Sequence, residues 1–186
     1  MRTLAVFVLA LLGGAALGLC LPDTDFIFFF LRHRSVVTHS VLFGVLALYL
    51  VRDREQWFRL GAAGLALALA VHLSFDMFPV NWYGSALLYV PLFGAFPSTL
   101  SMLWLFGNIV ACCYLALLLI EGDTQLHMTL VVTALAFLFA SQKERTFWMP
   151  MLSLLLAGGL ATLFPNPVIK GQKVIQHWMH LASEKV

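Results

Sequence analysis

"LGAAGLALALAVHLSFDMFP", residues 60–79, is twenty residues long, and its only ionisable residues are His72 and Asp76. A run of about 20 mostly apolar residues is long enough to cross the hydrocarbon core of a bilayer as a helix. On that helix His72 and Asp76 are four apart and share a face. A titratable group inside a span is costly, which makes it a functional hypothesis by default. The bland reading of the same pair is a His–Asp hydrogen bond holding two helices together.

The rest of the chain agrees with a membrane class. It has 186 residues, 61% hydrophobic and only 11% charged, against about 25% charged in ordinary soluble domains. Its mean hydropathy is +0.92. The net charge of +2 is too small to argue for a nucleic-acid partner. Cys20, Cys112 and Cys113 all lie in apolar runs and read as small packing residues. Six spans are expected, at about 3–21, 36–51, 60–79, 99–120, 126–140 and 148–165. The first is read as a retained span rather than a signal peptide. Residues 80–98 are apolar but broken by Gly84, Pro91, Gly94 and Pro97, which predicts an interfacial or re-entrant segment with Trp82, Tyr83 and Tyr89 at headgroup depth. Val174, Trp178 and Leu181 share a face in a tail flanked by lysines, which predicts a surface helix over 168–185. The expected fold is thus an all-α integral membrane protein, with a transmembrane helical domain over 1–165 and an interfacial tail over 166–186.

Basic residues mark cytoplasmic loops. With six spans, Arg2, Arg52, Arg54, Arg59, Lys170, Lys173 and Lys185 fall on one side, and Arg32, Arg34, Lys143 and Arg145 on the other. Both termini are therefore expected in the cytoplasm. At 1.5 Å per residue from Leu60, His72 lies roughly 18 Å and Asp76 roughly 24 Å along the third span, in its outer half. Two other polar groups are expected at that level. "LPDTD", residues 21–25, follows the first span, and "HRSVVTHS", residues 33–40, opens the second.

Asp23 and Asp25 are two apart, so an extended linker would point them the same way. Two carboxylates held close repel unless a proton or cation intervenes; the bland reading is helix-end solvation. Ser35 is a natural N-cap for the second span, and Thr38 and Ser40 read as backbone-bonding hydroxyls. Arg32 reads as a snorkelling interface residue, and Arg34 as the better anion binder. Together, Asp23, Asp25, His33, His39, His72 and Asp76 form a carboxylate–imidazole set that suits Zn²⁺, with Mn²⁺ or Fe²⁺ as alternatives. A metal there would neutralise the carboxylates and lower the pKa of a bound water.

With these motifs in order, the chain resembles the LexA-binding, inner-membrane-associated family of metal-dependent hydrolases. The resemblance covers about residues 18–95. It rests on the Asp-x-Asp at Asp23 and Asp25, the stretch at His33, Arg34, Thr38, His39 and Ser40, the His-x-x-x-Asp at His72 and Asp76, and "NWYG" and Pro91 after it. That family is similar to the zinc-dependent phospholipase C and P1-nuclease group, which implies phosphoester hydrolysis at metal. The group's His-x-x-x-Glu motif is absent, so one or two ions are expected rather than three.

The expected function is hydrolysis of a lipid-phosphate-type phosphoester at the outer face of the cytoplasmic membrane. Asp25, His39, His72 and Asp76 are the core ligands. Asp23 and His33 serve a second metal or act as general acid and base, and Arg34 holds an anionic oxygen. The competing classes are an ion- or proton-coupled carrier that uses His72 and Asp76, and a scaffold with a structural metal. His127 reads as interfacial, His177 and His180 as a tail face, and Asn108 as a helix–helix hydrogen-bonding residue.

Overall fold

The structure is a computed structural model that describes residues 2–27, 31, 33–79 and 87–164. Among the described residues there are six α-helices: α1 (Arg2–Cys20), α2 (Leu42–Val51), α3 (Gln56–Asp76), α4 (Ser98–Leu119), α5 (Asp123–Glu144) and α6 (Trp148–Leu163). A 3-10 turn covers Pro22–Phe26, and one antiparallel hairpin joins β1 (Tyr89–Val90) to β2 (Gly94–Ala95). Helices α3, α4 and α5 are long and apolar enough to cross a membrane; α1, α2 and α6 are shorter apolar helices. Three such helices fit a membrane location.

The predicted second span starts late. Residues 36–41 form turns, and α2 keeps only 10 residues, about 15 Å of helix. The residue capping α2 is Val41, not Ser35. Ser35 instead bridges to Tyr89 as an isolated parallel β-pair. The predicted interfacial segment is a hairpin over the part that is described. Arg32, Trp82, Tyr83, Gly84 and the expected tail helix lie outside the described residues.

Helix α3 is the axis of the bundle and is buried along most of its length. Its closest neighbour is α1, and glycine sets that approach. A Cβ on Gly14 would overlap the Gly61 carbonyl, one on Gly18 the Leu65 carbonyl, and one on Gly64 the Leu11 carbonyl. Small residues let two helix backbones touch where lipid gives no hydrophobic drive for helix association. On the other side Leu69 and Leu73 of α3 pack with Leu105, Ile109 and Cys112 of α4 and with Ala157 and Ala161 of α6. The outward surface is apolar: Leu130, Val131, Leu135, Leu138 and Phe139 of α5 are exposed, as are Leu152, Leu155 and Leu156 of α6.

The loop between the 3-10 turn and α2 is pinned from α4 and the hairpin. The Val36 N–H donates to the Tyr89 carbonyl and the Tyr89 N–H to the Arg34 carbonyl, both at 2.9 Å. The Trp104 indole donates to the His39 carbonyl at 3.1 Å. Asn108 accepts from the Val41 N–H at 2.6 Å and donates to the Trp104 carbonyl at 2.7 Å. Asn108 thus satisfies an orphan donor at the start of α2, which has no side-chain cap of its own.

Candidate metal centre

Pro22 opens the 3-10 turn and lacks only an N–H that would be orphaned there anyway. In a 3-10 helix, residues two apart diverge by about 240° around the axis. Asp23 and Asp25 therefore point different ways, not together as an extended linker would have them. Asp25 is buried, while Asp23 is partly exposed.

Asp25 holds the loop that carries both loop histidines. Its Oδ2 accepts the Ser35 N–H at 3.2 Å and the Thr38 hydroxyl at 3.4 Å, and lies 3.6 Å from His39 Nδ1. Its Oδ1 is 3.5 Å from Nδ1 of His33, whose ring is stacked on Phe26. Asp25 thus sits on the Nδ1 side of His39, away from the third span.

Asp76 meets the other side of the ring. Its Oδ2 is 3.2 Å from His39 Nε2 and 3.2 Å from His72 Nε2. His72 Nε2 is also 3.7 Å from Asp23 Oδ1. Asp23, His39 and His72 each offer a ligand atom, all within 4.8 Å of one another.

The contacts at the opposite ring edges favour one tautomer of each neutral ring. His72 Nδ1 lies 2.9 Å from the Leu19 carbonyl, which can only accept, so Nδ1 carries a hydrogen and, in the neutral ring, Nε2 presents a lone pair. His39 Nδ1 lies 3.0 Å from the Thr38 hydroxyl. The single proton of that hydroxyl is claimed by the Ser35 carbonyl at 3.1 Å or by Asp25. With that proton so placed, the hydroxyl accepts from His39 Nδ1–H, and the neutral ring presents Nε2 as a lone pair. With both rings neutral, two imidazole lone pairs turn toward the same carboxylate oxygen. Among the described residues, His39 Nε2, Asp76 Oδ2 and Asp25 Oδ1 are buried without a hydrogen-bond partner. An unpaired buried polar group costs about 1–3 kcal/mol, more if charged. A cation bound at about 2.0–2.1 Å in tetrahedral geometry sets its ligands about 3.3 Å apart. The 3.2 Å separations match that edge, so the donor set and its spacing fit a divalent metal.

Arg34 closes the far side of Asp76, donating from Nε to Oδ1 at 3.3 Å. It is one of three non-glycine residues with positive φ among the described residues, at 62°. The Tyr89 N–H bonded to its carbonyl holds that left-handed turn. A cleft of about 340 Å³ opens beside the cluster, walled by Asp23, His33, Arg34, His72 and Asp76 and by Phe26, Phe75 and Phe139. Lys143 and Glu144 of α5 also line it. Sequence reading had no role for these two. Lys143 appeared only as a basic residue on the same side as Arg34, and that shared side was the signal. His127 is exposed and bonds the carbonyl of Asp123 at 2.7 Å, outside this cluster. Ser40 bonds the Val37 carbonyl, as a backbone-bonding hydroxyl does. No family model, curated protein or solved structure matches the chain.

Proposed function

We propose that this protein is a membrane-embedded, metal-dependent hydrolase that cleaves a phosphoester. The carrying observation is the approach of His39 Nε2 and His72 Nε2 to Asp76 Oδ2, each at 3.2 Å, with His39 Nε2 and Asp76 Oδ2 buried and lacking a hydrogen-bond partner among the described residues. His39, His72 and Asp76, with Asp23 beside them, would hold a divalent cation, zinc first by ligand type. When bound, such an ion polarises a phosphoryl oxygen and lowers the pKa of a ligated water. Asp25 orients His39 through its Nδ1 edge, and the Leu19 carbonyl does the same for His72. His33, with its side chain 44% exposed and its Nδ1 near Asp25, can pass protons between the cleft and water. Arg34 lines the cleft beside Asp76 and takes an anionic oxygen of the substrate. The same reading makes α1, α2 and α6 complete six crossings of the cytoplasmic membrane, with both termini inside and the cluster on the outer face.

Elemental analysis of protein purified without chelators tests the metal. Wild type carries about one or two equivalents of transition metal, and His72→Ala loses at least one, because a four-coordinate site cannot lose a ligand without opening. Metal-free wild type would replace the ion by a proton and favour an ion-coupled carrier. Retained metal with no hydrolysis of any phosphoester would leave a structural centre. Orientation is read separately, from single cysteines at Thr24 and Gln56 in a background lacking the native three. An impermeant thiol reagent on intact cells labels position 24 and spares position 56; the reverse pattern moves the site to the cytoplasm.

A further inference from the structure

Building on the hydrolase reading, we infer that the cleft receives an amphiphilic phosphate, with Lys143 and Arg34 gripping its head from opposite walls. Lys143 sits in the last turn of α5, where a lysine ordinarily serves the helix dipole. Here its Nζ reaches across to Asp23 Oδ2 at 3.9 Å and to Glu144 Oε1 at 3.9 Å. The contact with Asp23 joins two segments 120 positions apart over the mouth of the cleft. Arg34 stands on another wall, against Asp76.

Charge decides when an anion enters. Among the described residues, Asp23, Asp76 and Glu144 face the cleft against Arg34 and Lys143, with His33 and His72 beside them, so with neutral imidazoles the walls carry one negative charge more than positive. A divalent cation at the imidazole–carboxylate cluster reverses that balance. With Asp23 engaged by the ion, Lys143 is released toward an incoming anionic oxygen.

The remaining walls select the rest of the molecule. Leu19, Phe26, Phe75, Phe139 and Ala140 are apolar. Phe26 and Phe139 also belong to the exposed apolar surface. Phe139 continues the exposed face formed by Leu135 and Leu138 on α5. The cleft therefore joins a charged floor to a surface that lipid covers. A ligand with a phosphate head and a hydrocarbon tail fits both at once, whereas inorganic phosphate uses only the floor.

The probes are hexylphosphonate and methylphosphonate, which share the head and resist hydrolysis. Binding is measured calorimetrically on metal-loaded protein in nanodiscs, and affinities are referred to free aqueous ligand. Wild type binds hexylphosphonate at least about tenfold more tightly than methylphosphonate, since each buried methylene adds to transfer free energy. Lys143→Ala weakens hexylphosphonate about tenfold, Lys143→Arg restores it, and metal content is the same in all three. Equal binding of the two phosphonates would overturn the amphiphile and leave a free-phosphate site. Unchanged affinity in Lys143→Ala, or loss of its metal, would overturn the role of Lys143. Because binding is read without turnover, a protein that cleaves no phosphoester can still pass this test, and an active one can still fail it.

Discussion

The two ends of α3 both carry polar residues and differ in how those residues are satisfied. At the Gln56 end, Arg59 pairs with Glu121 Oε1, and the Gln56 amide donates to Glu121 Oε2 at 3.1 Å. The Glu121 N–H in turn donates to Gln125 at 2.9 Å. Each of these donors meets an acceptor in a partly exposed setting. At the Asp76 end, His39 Nε2 and His72 Nε2 both approach Asp76 Oδ2 at 3.2 Å, and two of these three atoms are buried with no hydrogen-bond partner among the described residues. The difference teaches that polar residues at a helix end do not by themselves mark a site. What marks it is a mismatch of donors and acceptors that burial makes costly and that a bound cation removes.

The comparison breaks most visibly at Asp76. Asp76→Asn keeps the shape and removes the anionic oxygen that both imidazoles face. Phosphoester hydrolysis falls by at least about a hundredfold, while the thermal transition stays near that of wild type. Full activity in this variant would make Asp76 a packing residue and put the two ends on equal terms. A smaller loss is expected one contact further out. Asp25→Asn keeps the bonds from Ser35 and Thr38 but weakens the grip on His39 Nδ1. Metal affinity, read by competition with a chromogenic chelator, drops by about 10- to 100-fold. If affinity does not move, Asp25 anchors the loop and nothing more. The least effect belongs to the opposite end. Arg59→Ala costs less than about 1 kcal/mol, because partly exposed ion pairs contribute little, and leaves metal content untouched. Loss of metal in Arg59→Ala would show that the two ends are coupled and that the contrast drawn between them is false.

Composition alone carried the membrane class, and hydrophobic runs placed α3, α4 and α5 within a few residues, because a helix in lipid must satisfy its backbone within itself. The His72–Asp76 pairing was equally legible, since an i, i+4 relation depends on helical pitch and nothing else. The loop between α1 and α2 was not. Val36, Val37 and Val41 look like the start of a span, yet Tyr89, Trp104 and Asn108, more than fifty positions later, draw those residues into turns. The same applies to Asp23 and Asp25, whose directions follow from a 3-10 turn and not from their spacing. Which imidazole nitrogen faces the cluster was beyond sequence altogether. It is decided by a carbonyl at Leu19, brought to His72 by the glycine-mediated contact of α1 with α3, and by a hydroxyl at Thr38. Lys143 reaches the cleft only because α5 ends beside the 3-10 turn. Residue types and local periodicity thus determined which ionisable groups lie on a long apolar helix, whereas the neighbours that each of their polar edges meets required the packing of distant segments.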